Sequence, residues 1–291
     1  MTLRKTWLEV CLNGGWTRRH QPLIPIAPPE IVAEGIAAVR AGAAIVHLHA
    51  YDVASGRQRD DADIYEAIIS GIRAEVDAIV YPTIPHLEPG PDAAERTRQR
   101  YGAIEALGRR GLLEWTVVDP GTVNLVHYGA LAIGREGSVY LNTDGDIRAG
   151  LDLARRHRCH PTYAVYEPGF LRLGAALHRL SPETPQPIYR LMFSEQLPFG
   201  FPPEPFALTA YRELLRREAP DAPWMVAGVG ADVLPLIPEV VAAGGHVRVG
   251  LEDAPLGSTL RNEEWVRRAA DAIVTAGGSL ATAADVRQEW R

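Results

Sequence analysis

Short apolar runs rich in β-branched residues alternate along the chain with longer segments in which Ala, Leu and Arg recur at helical period. The runs cover residues 8–13, 44–49, 78–83, 114–118, 162–166, 186–192, 224–228 and 246–250. The pattern predicts helices over 29–41, 62–76, 92–109, 145–157, 170–179, 204–218, 231–243 and 262–276. Pro28-Pro29 opens the first helix, Asn262 is placed to N-cap the last, and Ala276-Gly277-Gly278 is placed to close it. The run at 44–49 is continuously apolar before its histidines, as a strand buried on both faces requires. Eight strand–helix units within 291 residues predict one domain, a (β/α)8 TIM barrel over residues 1–291. A doubly wound sheet is the alternative, but no G-x-G-x-x-G follows an early strand, which disfavours its dinucleotide-binding form. Two irregular stretches stand out: a long loop over 14–27, and a Pro-rich loop over 195–205 (EQLPFGFPPEP).

The composition is that of a globular enzyme-sized chain, 46% hydrophobic and 23% charged, with a formal net charge of −6. No basic block marks a nucleic-acid partner. No run approaches the ~18 apolar residues of a membrane span. The first 13 residues contain no apolar run of signal-peptide length. Two cysteines, Cys11 and Cys159, are too few for a disulfide framework, so a reducing cytoplasm is expected. Of the 30 basic residues only Lys5 is a lysine, and it precedes every predicted element. Schiff-base and pyridoxal chemistry need a buried lysine, and a P-loop needs one too. Carbonyl activation in this chain would therefore fall most simply to a metal ion.

In a parallel barrel the chemistry gathers where strands end. The second strand ends His47-Leu48-His49, and residues at i and i+2 share a face, so the imidazoles converge on one point. Alone, that spacing also fits two hydrogen-bonded structural histidines. The eighth strand ends Arg248-Val249-Gly250-Leu251-Glu252-Asp253, on the rim that carries His49. His47, His49 and Glu252 make a catalytic ligand set with open positions. Arg248 is placed to keep Asp253 ionised as a base, or else to close the barrel by an ion pair. Thr83 and Thr122 end or follow strands and offer hydroxyls to a substrate carboxylate, or form ordinary turns. Glu167, before Pro168-Gly169, is a second acid/base candidate or a turn residue. Gly228-Val229-Gly230 reads as a plain strand-to-helix turn or an anion cradle. Cys11 reads as core and His246 lies at the wrong end of its strand for the metal.

These residues together resemble the β-keto acid cleavage enzyme family, which includes the 3-keto-5-aminohexanoate cleavage enzyme. The matching stretches are 21–30 (QPLIPIAPPE), 41–49 (AGAAIVHLH), 121–124 (GTVN), 165–167 (VYE), 224–230 (WMVAGVG), 244–253 (GGHVRVGLED) and 280–282 (LAT). The resemblance implies a metal-dependent (β/α)8 acyltransferase in which a β-keto acid and acetyl-CoA become a new acyl-CoA and acetoacetate. It implies His47, His49 and Glu252 as ligands of zinc, and Asp253 with Arg248 as the group that removes the α-proton. It further implies Glu167 as an acidic active-site residue, Thr83 and Thr122 as substrate hydroxyls, and a homotetrameric assembly. His₂Glu also accommodates Mn²⁺, Fe²⁺ or Co²⁺.

The chain departs from the family pattern twice. Relatives often continue H-x-H-x-Arg, whereas Tyr51 stands at that position here, with Arg57 and Arg59 the nearest basic substitutes. Relatives that act on an amino-bearing keto acid carry a glutamate in the first loop. The corresponding stretch, Asn13-Gly14-Gly15-Trp16-Thr17, has no acid, which disfavours an ammonium substrate. Asn13 and Trp16 are the substrate-binding candidates there; Trp16 would face an apolar tail or a quaternary ammonium, or simply pack the loop. Arg18 and Arg19 are candidates for a CoA phosphate clamp. The rival readings are a CoA-independent metal-dependent C–C lyase or aldolase, and a non-catalytic carboxylate-binding barrel.

Overall fold

The computed structural model describes residues 5–87 and 92–290. The chain falls into two compact units, one of residues 5–83 and 225–290, the other of the residues between.

The first unit opens with β1 (Leu8–Cys11), α1 (Pro28–Arg40), β2 (Ile45–Leu48), a hairpin of β3 (Tyr51–Asp52) and β4 (Arg57–Gln58), α2 (Ala62–Arg73) and β5 (Ile79–Pro82). The other unit holds α3 (Ala93–Arg109), β6 (Trp115–Val117), β7 (Val123–Leu125), α4 (Tyr128–Leu131), β8 (Ser138–Tyr140), α5 (Asp144–His157), β9 (His160–Val165), α6 (Pro168–Arg179), β10 (Ile188–Phe193) and α7 (Pro205–Glu218). The chain then returns to the first unit through β11 (Trp224–Gly228), a 3₁₀ turn (Leu234–Leu236), α8 (Ile237–Ala242), β12 (His246–Val249), α9 (Asn262–Thr275) and α10 (Ala283–Gln288). The eight parallel strands, each with its helix, are those of a (β/α)8 barrel. In the first unit they run in the order β5-β2-β1-β12-β11, and in the second in the order β10-β9-β6.

All eight predicted strands and helices are present, with ends within three residues of those predicted. The predicted helix at 231–243 shrinks to a 3₁₀ turn and α8, because Pro235 and Pro238 cannot donate to preceding carbonyls. The predicted N-cap is displaced by one residue: Arg261 takes the cap position, and Asn262 turns inward as the first helical residue. There its amide accepts from Leu251 N–H at 2.9 Å and donates to the Leu12 carbonyl at 3.0 Å. Where the sequence supplies a true cap, as Asp61 does for α2 by accepting from Asp63 N–H at 3.0 Å, the contribution is about 1 kcal/mol. No helix among the described residues is long and apolar enough to cross a membrane.

Register decides which side chains meet. In the β1–β12 pair Glu9 lies beside Arg248, and in the β1–β2 pair Cys11 lies beside His47. His47 in turn lies beside Tyr81 of β5. Partners in a parallel ladder point to the same face, so Glu9, Cys11, His47, Tyr81 and Arg248 share one side of the sheet. The opposite side is apolar: Leu8, Val10, Val46, Val80, Val247 and Val249 are buried.

Candidate active site and metal centre

Two backbone devices bring the acidic pair to the histidines. Past β12 the chain turns sharply: Asp253 and Ala254 donate their N–H groups to the Gly250 carbonyl at 3.1 and 2.9 Å, and Glu252 N–H reaches the Cys11 carbonyl at 3.3 Å. Gly250 adopts φ +136°, and a Cβ there would lie 2.2 Å from the Cys11 oxygen, so only glycine permits this approach. On β2, the Asn13 side chain clamps the strand end. It accepts from His49 N–H at 2.9 Å and donates to the His49 and Pro25 carbonyls, both at 3.0 Å. Both amide protons of Asn13 are therefore committed to backbone, which makes it a support for His49.

The three candidate ligands converge. Nε2 of His47 and Nε2 of His49 each lie 3.5 Å from Oε2 of Glu252, and the three ligand atoms all fall within 4.8 Å of one another. A tetrahedral ion bonded at about 2.0–2.1 Å separates its ligands by about 3.3–3.5 Å. Among the described residues, His49 Nε2 and Glu252 Oε2 are buried without a hydrogen-bond partner. Buried polar atoms are ordinarily satisfied, so these atoms, turned toward one point, fit a cation site. The other Glu252 oxygen takes a 2.8 Å ion pair from Arg248 Nη2. Burial pushes the Glu252 carboxyl up, but Arg248 and the two imidazoles outweigh it and hold it well below the ordinary range. Glu252 is thus an anion, as a ligand must be.

Arg248 also grips Asp253 with two parallel bonds, Nε to Oδ2 at 3.0 Å and Nη2 to Oδ1 at 2.9 Å. The fork is the expected one, but its effect on Asp253 is not the expected one. Full burial, reinforced by the Glu252 charge, outweighs the guanidinium and raises the Asp253 carboxyl to about 6. A carboxylate tuned toward neutrality suits a general base. Glu9, fully buried on β1, completes the cluster: Arg248 Nη1 lies 3.3 Å from its Oε1, and Tyr81 donates its hydroxyl to that oxygen at 2.6 Å. Glu9 is a site residue that sequence reasoning missed. Its signal was a carboxylate at the centre of an apolar strand.

Cys11, Glu252 and Asp253 form a second cluster of possible ligands. There burial drives the thiol well above its ordinary range, and Sγ lies 3.1 Å from the Val249 carbonyl.

The first loop packs over Glu252. Gly14 has φ +61°, and a Cβ there would come within 2.6 Å of Glu252 Cγ. Trp16 donates its indole N–H to the Glu252 carbonyl at 2.7 Å, and its ring packs on Ile24, Ile26, Tyr51 and Leu251. Tyr51 is buried, and its hydroxyl donates to the carbonyls of Gly14 and Trp16, fastening the loop. Gln21 bonds the carbonyls of Leu251 and Pro255 at 3.1 and 3.3 Å, tying the same loop to the turn past β12. The suggested substitutes for a family arginine do not fill its place. Arg59 is exposed and paired with Asp61 at 3.0 Å, and Arg57 is exposed. Gln58, between them, is the residue that reaches the site, with Oε1 2.8 Å from His49 Nδ1.

The remaining candidates are placed as follows. Thr83 follows β5, buried, its N–H on the Leu48 carbonyl at 3.1 Å. In the second unit, the Thr122 hydroxyl donates to the Asn142 carbonyl and accepts its N–H, both at 3.0 Å, which is turn chemistry. Glu167 stands at the N-cap of α6 without capping it through its side chain. Arg18 is paired with Glu30 at 2.7 Å, and Arg18 and Arg19 are both exposed. Gly228 serves close packing, since a Cβ would meet the Ala231 and Asp253 carbonyls at 2.6 and 3.0 Å. His246 stacks on Trp7, ring centroids 4.0 Å apart, away from the ligand set.

Comparison with known proteins gives one consistent picture. The family model described as beta-keto acid cleavage enzyme matches residues 5–290. The 3-dehydrocarnitine:acetyl-CoA trimethylamine transferase of Rhizobium meliloti (strain 1021) is 24% identical, over 99% of this chain and 97% of its own. The 3,5-dioxohexanoate:acetyl-CoA acetone transferase of Paraburkholderia graminis is 26% identical, over 87% of this chain and 83% of its own. Among solved structures, ObcA in ternary complex with a C4-CoA adduct and oxalate superposes with a TM-score of 0.69 at 20% identity, covering 92% of this chain and 67% of that one.

Proposed function

The chain belongs to the beta-keto acid cleavage enzyme family, and from that premise we propose that it holds a divalent transition metal, zinc first, on His47, His49 and Glu252 and transfers an acyl group from a β-keto acid to CoA. The reaction takes a β-keto acid and acetyl-CoA to a new acyl-CoA and acetoacetate. The observation that carries the metal assignment is the pair of buried, unsatisfied atoms, His49 Nε2 and Glu252 Oε2, facing each other at 3.5 Å.

When bound, the ion supplies Lewis-acid polarisation of the keto oxygen, the task that a chain with one lysine cannot give to an amine. Asp253 takes the α-proton of the keto acid; its raised carboxyl matches that task better than an ordinary aspartate. Arg248 orients Asp253 and Glu252 together and is itself held by Glu9. Asn13 fixes the backbone of His49. Thr83 and Trp16 are the substrate contacts on this unit. Glu167 and Thr122 enter the reading on their strand-end positions and the resemblance, a cytoplasmic setting on the cysteine count, and a homotetramer on the resemblance alone. The acid-free loop Asn13-Gly14-Gly15-Trp16-Thr17 offers no counter-ion for an ammonium, so the tail is apolar, or a quaternary ammonium on the Trp16 ring.

The deciding assay is consumption of a panel of β-keto acids by zinc-loaded protein with and without acetyl-CoA. Turnover that requires the thioester, with acetoacetate formed in step, is expected. Equal turnover without it would assign the chain to CoA-independent C–C cleavage.

A further inference from the structure

We propose that Asp60, acting through Gln58, sets the tautomer of His49 and thereby tunes the metal centre; the inference rests on the metal reading above. Both are positioning residues.

Local sequence builds the device. In Asp52-Val53-Ala54-Ser55-Gly56, Asp52 Oδ1 accepts Ser55 N–H at 2.7 Å and its carbonyl accepts Gly56 N–H at 2.8 Å. Gly56 supplies the φ of +64° that the turn requires. The β3–β4 hairpin pairs Tyr51 with Gln58, returning Gln58 to the strand end that carries His49. Gln58 Oε1 then lies 2.8 Å from His49 Nδ1. Its Nε2 donates to Asp60 at 2.9 and 3.0 Å, and the Tyr65 hydroxyl of α2 donates to Asp60 Oδ1 at 2.6 Å.

The donors and acceptors leave one arrangement. An aspartate carboxylate only accepts, so it selects the Gln58 orientation whose amide nitrogen faces it. That turns the Gln58 carbonyl to His49. A carbonyl also only accepts, so the proton of the neutral ring must sit on Nδ1. The Nε2 lone pair is left toward Glu252, where a ligand needs it. The reversed amide would donate to Nδ1, move the proton to Nε2 and block ligation. Metal-binding histidines commonly donate to a carboxylate directly. Here an amide is interposed, which transmits the orientation without placing another anion against a ring already facing Glu252.

The test compares wild type, Gln58→Leu and the double variant Gln58→Glu with Asp60→Asn by zinc affinity, measured by competition with a chromophoric chelator, with circular dichroism to confirm folding. Gln58→Leu weakens zinc binding about 10- to 100-fold, the usual cost of losing such a partner, while the double variant, whose new carboxylate accepts both from Nδ1 and from the new amide, holds affinity near wild type. A second readout needs no metal. In two-bond ¹H–¹⁵N spectra of metal-free protein, His49 shows the Nδ1–H form, and Asp60→Asn converts part of it to the Nε2–H form. Zinc affinity unchanged in Gln58→Leu, or lost equally in the double variant, overturns the relay, as does an unaltered His49 tautomer in Asp60→Asn. Wild type that takes up no zinc overturns the metal reading itself, a result distinct from any of these.

Discussion

Arg248 and Asp253 meet fork to fork, guanidinium to carboxylate, at 2.9 and 3.0 Å, both fully or nearly fully buried. The same guanidinium neutralises Glu252 and Glu9. Lysine cannot present this planar fork, and three buried carboxylates depend on it. Arg248→Lys is expected to lower stability by about 3–5 kcal/mol, the cost of breaking a buried ion pair, and to abolish turnover. Denaturant titration of both proteins measures the first and the coupled assay the second; a variant as stable as wild type would mean the cluster is solvated.

Asp253→Asn separates base from ligand. Asparagine keeps the volume and still accepts from Arg248, but cannot take a proton. Loss of about 10²–10⁴-fold in kcat is expected, the ordinary contribution of a general base. Zinc content should stay near wild type. Solvent deuterium exchange into the α-position of the keto acid, followed by NMR, should vanish in the variant; retained exchange would remove Asp253 from the proton transfer.

His47→Ala tests the metal centre. A ligand that binds only the folded state stabilises it by about 2.7 kcal/mol when present at a hundredfold excess over its Kd. Wild type should therefore melt at higher temperature with zinc than with chelator, and His47→Ala should melt alike in both. Elemental analysis gives the stoichiometry. A variant that retains metal and activity would refute the ligand set.

The barrel was legible because burial writes itself as periodicity: the runs that open 44–49 and 78–83 are apolar, valines alternate with polar residues in 246–250, and each strand is found. The His47, His49 and Glu252 set was legible because i, i+2 spacing and strand ends are sequence properties. Glu9 was not, because its meaning lies in the β1–β12 register, which puts it beside Arg248. Gln58 was hidden by a two-residue hairpin strand too short to show alternation. The upward shift of Asp253 was also illegible: a sequence shows the neighbouring arginine but not the desolvation that outweighs it.

Acid should loosen the second unit through Asp146. Burial raises its carboxyl, but bonds from Thr143, Thr97 and Arg96 outweigh this and hold it below the ordinary range. A depressed carboxylate contributes stability above its unfolded pKa of about 3.9 and loses it as pH falls through its folded value. Asp146→Asn should cost about 1.5–3 kcal/mol at neutral pH, since the bonds lost are to a charged group, and less as pH falls below about 4. Urea melts of both proteins from pH 3 to 7 check the sign; a difference that grows on acidification would reverse it.

Trp16 decides whether the first loop selects the substrate or only closes the site. Its indole N–H is spent on the Glu252 carbonyl, and one part of its ring packs on Tyr51 and Leu251. Yet the residue is only partly buried, so ring surface remains for a ligand. If that surface meets the tail of the keto acid, Trp16→Ala should erase the kcat/KM preference among apolar, quaternary-ammonium and carboxylate tails. Trp16→Phe, which keeps an aromatic face but loses the N–H, should retain the preference with some loss of stability. A cation–π contact contributes about 0.5–2 kcal/mol, so a quaternary-ammonium substrate should lose roughly 2- to 30-fold in Trp16→Ala beyond any general loss. A loop that only packs predicts something else: both variants lose activity on every substrate by one common factor. The ratio of kcat/KM values between tails, not their size, separates the two roles.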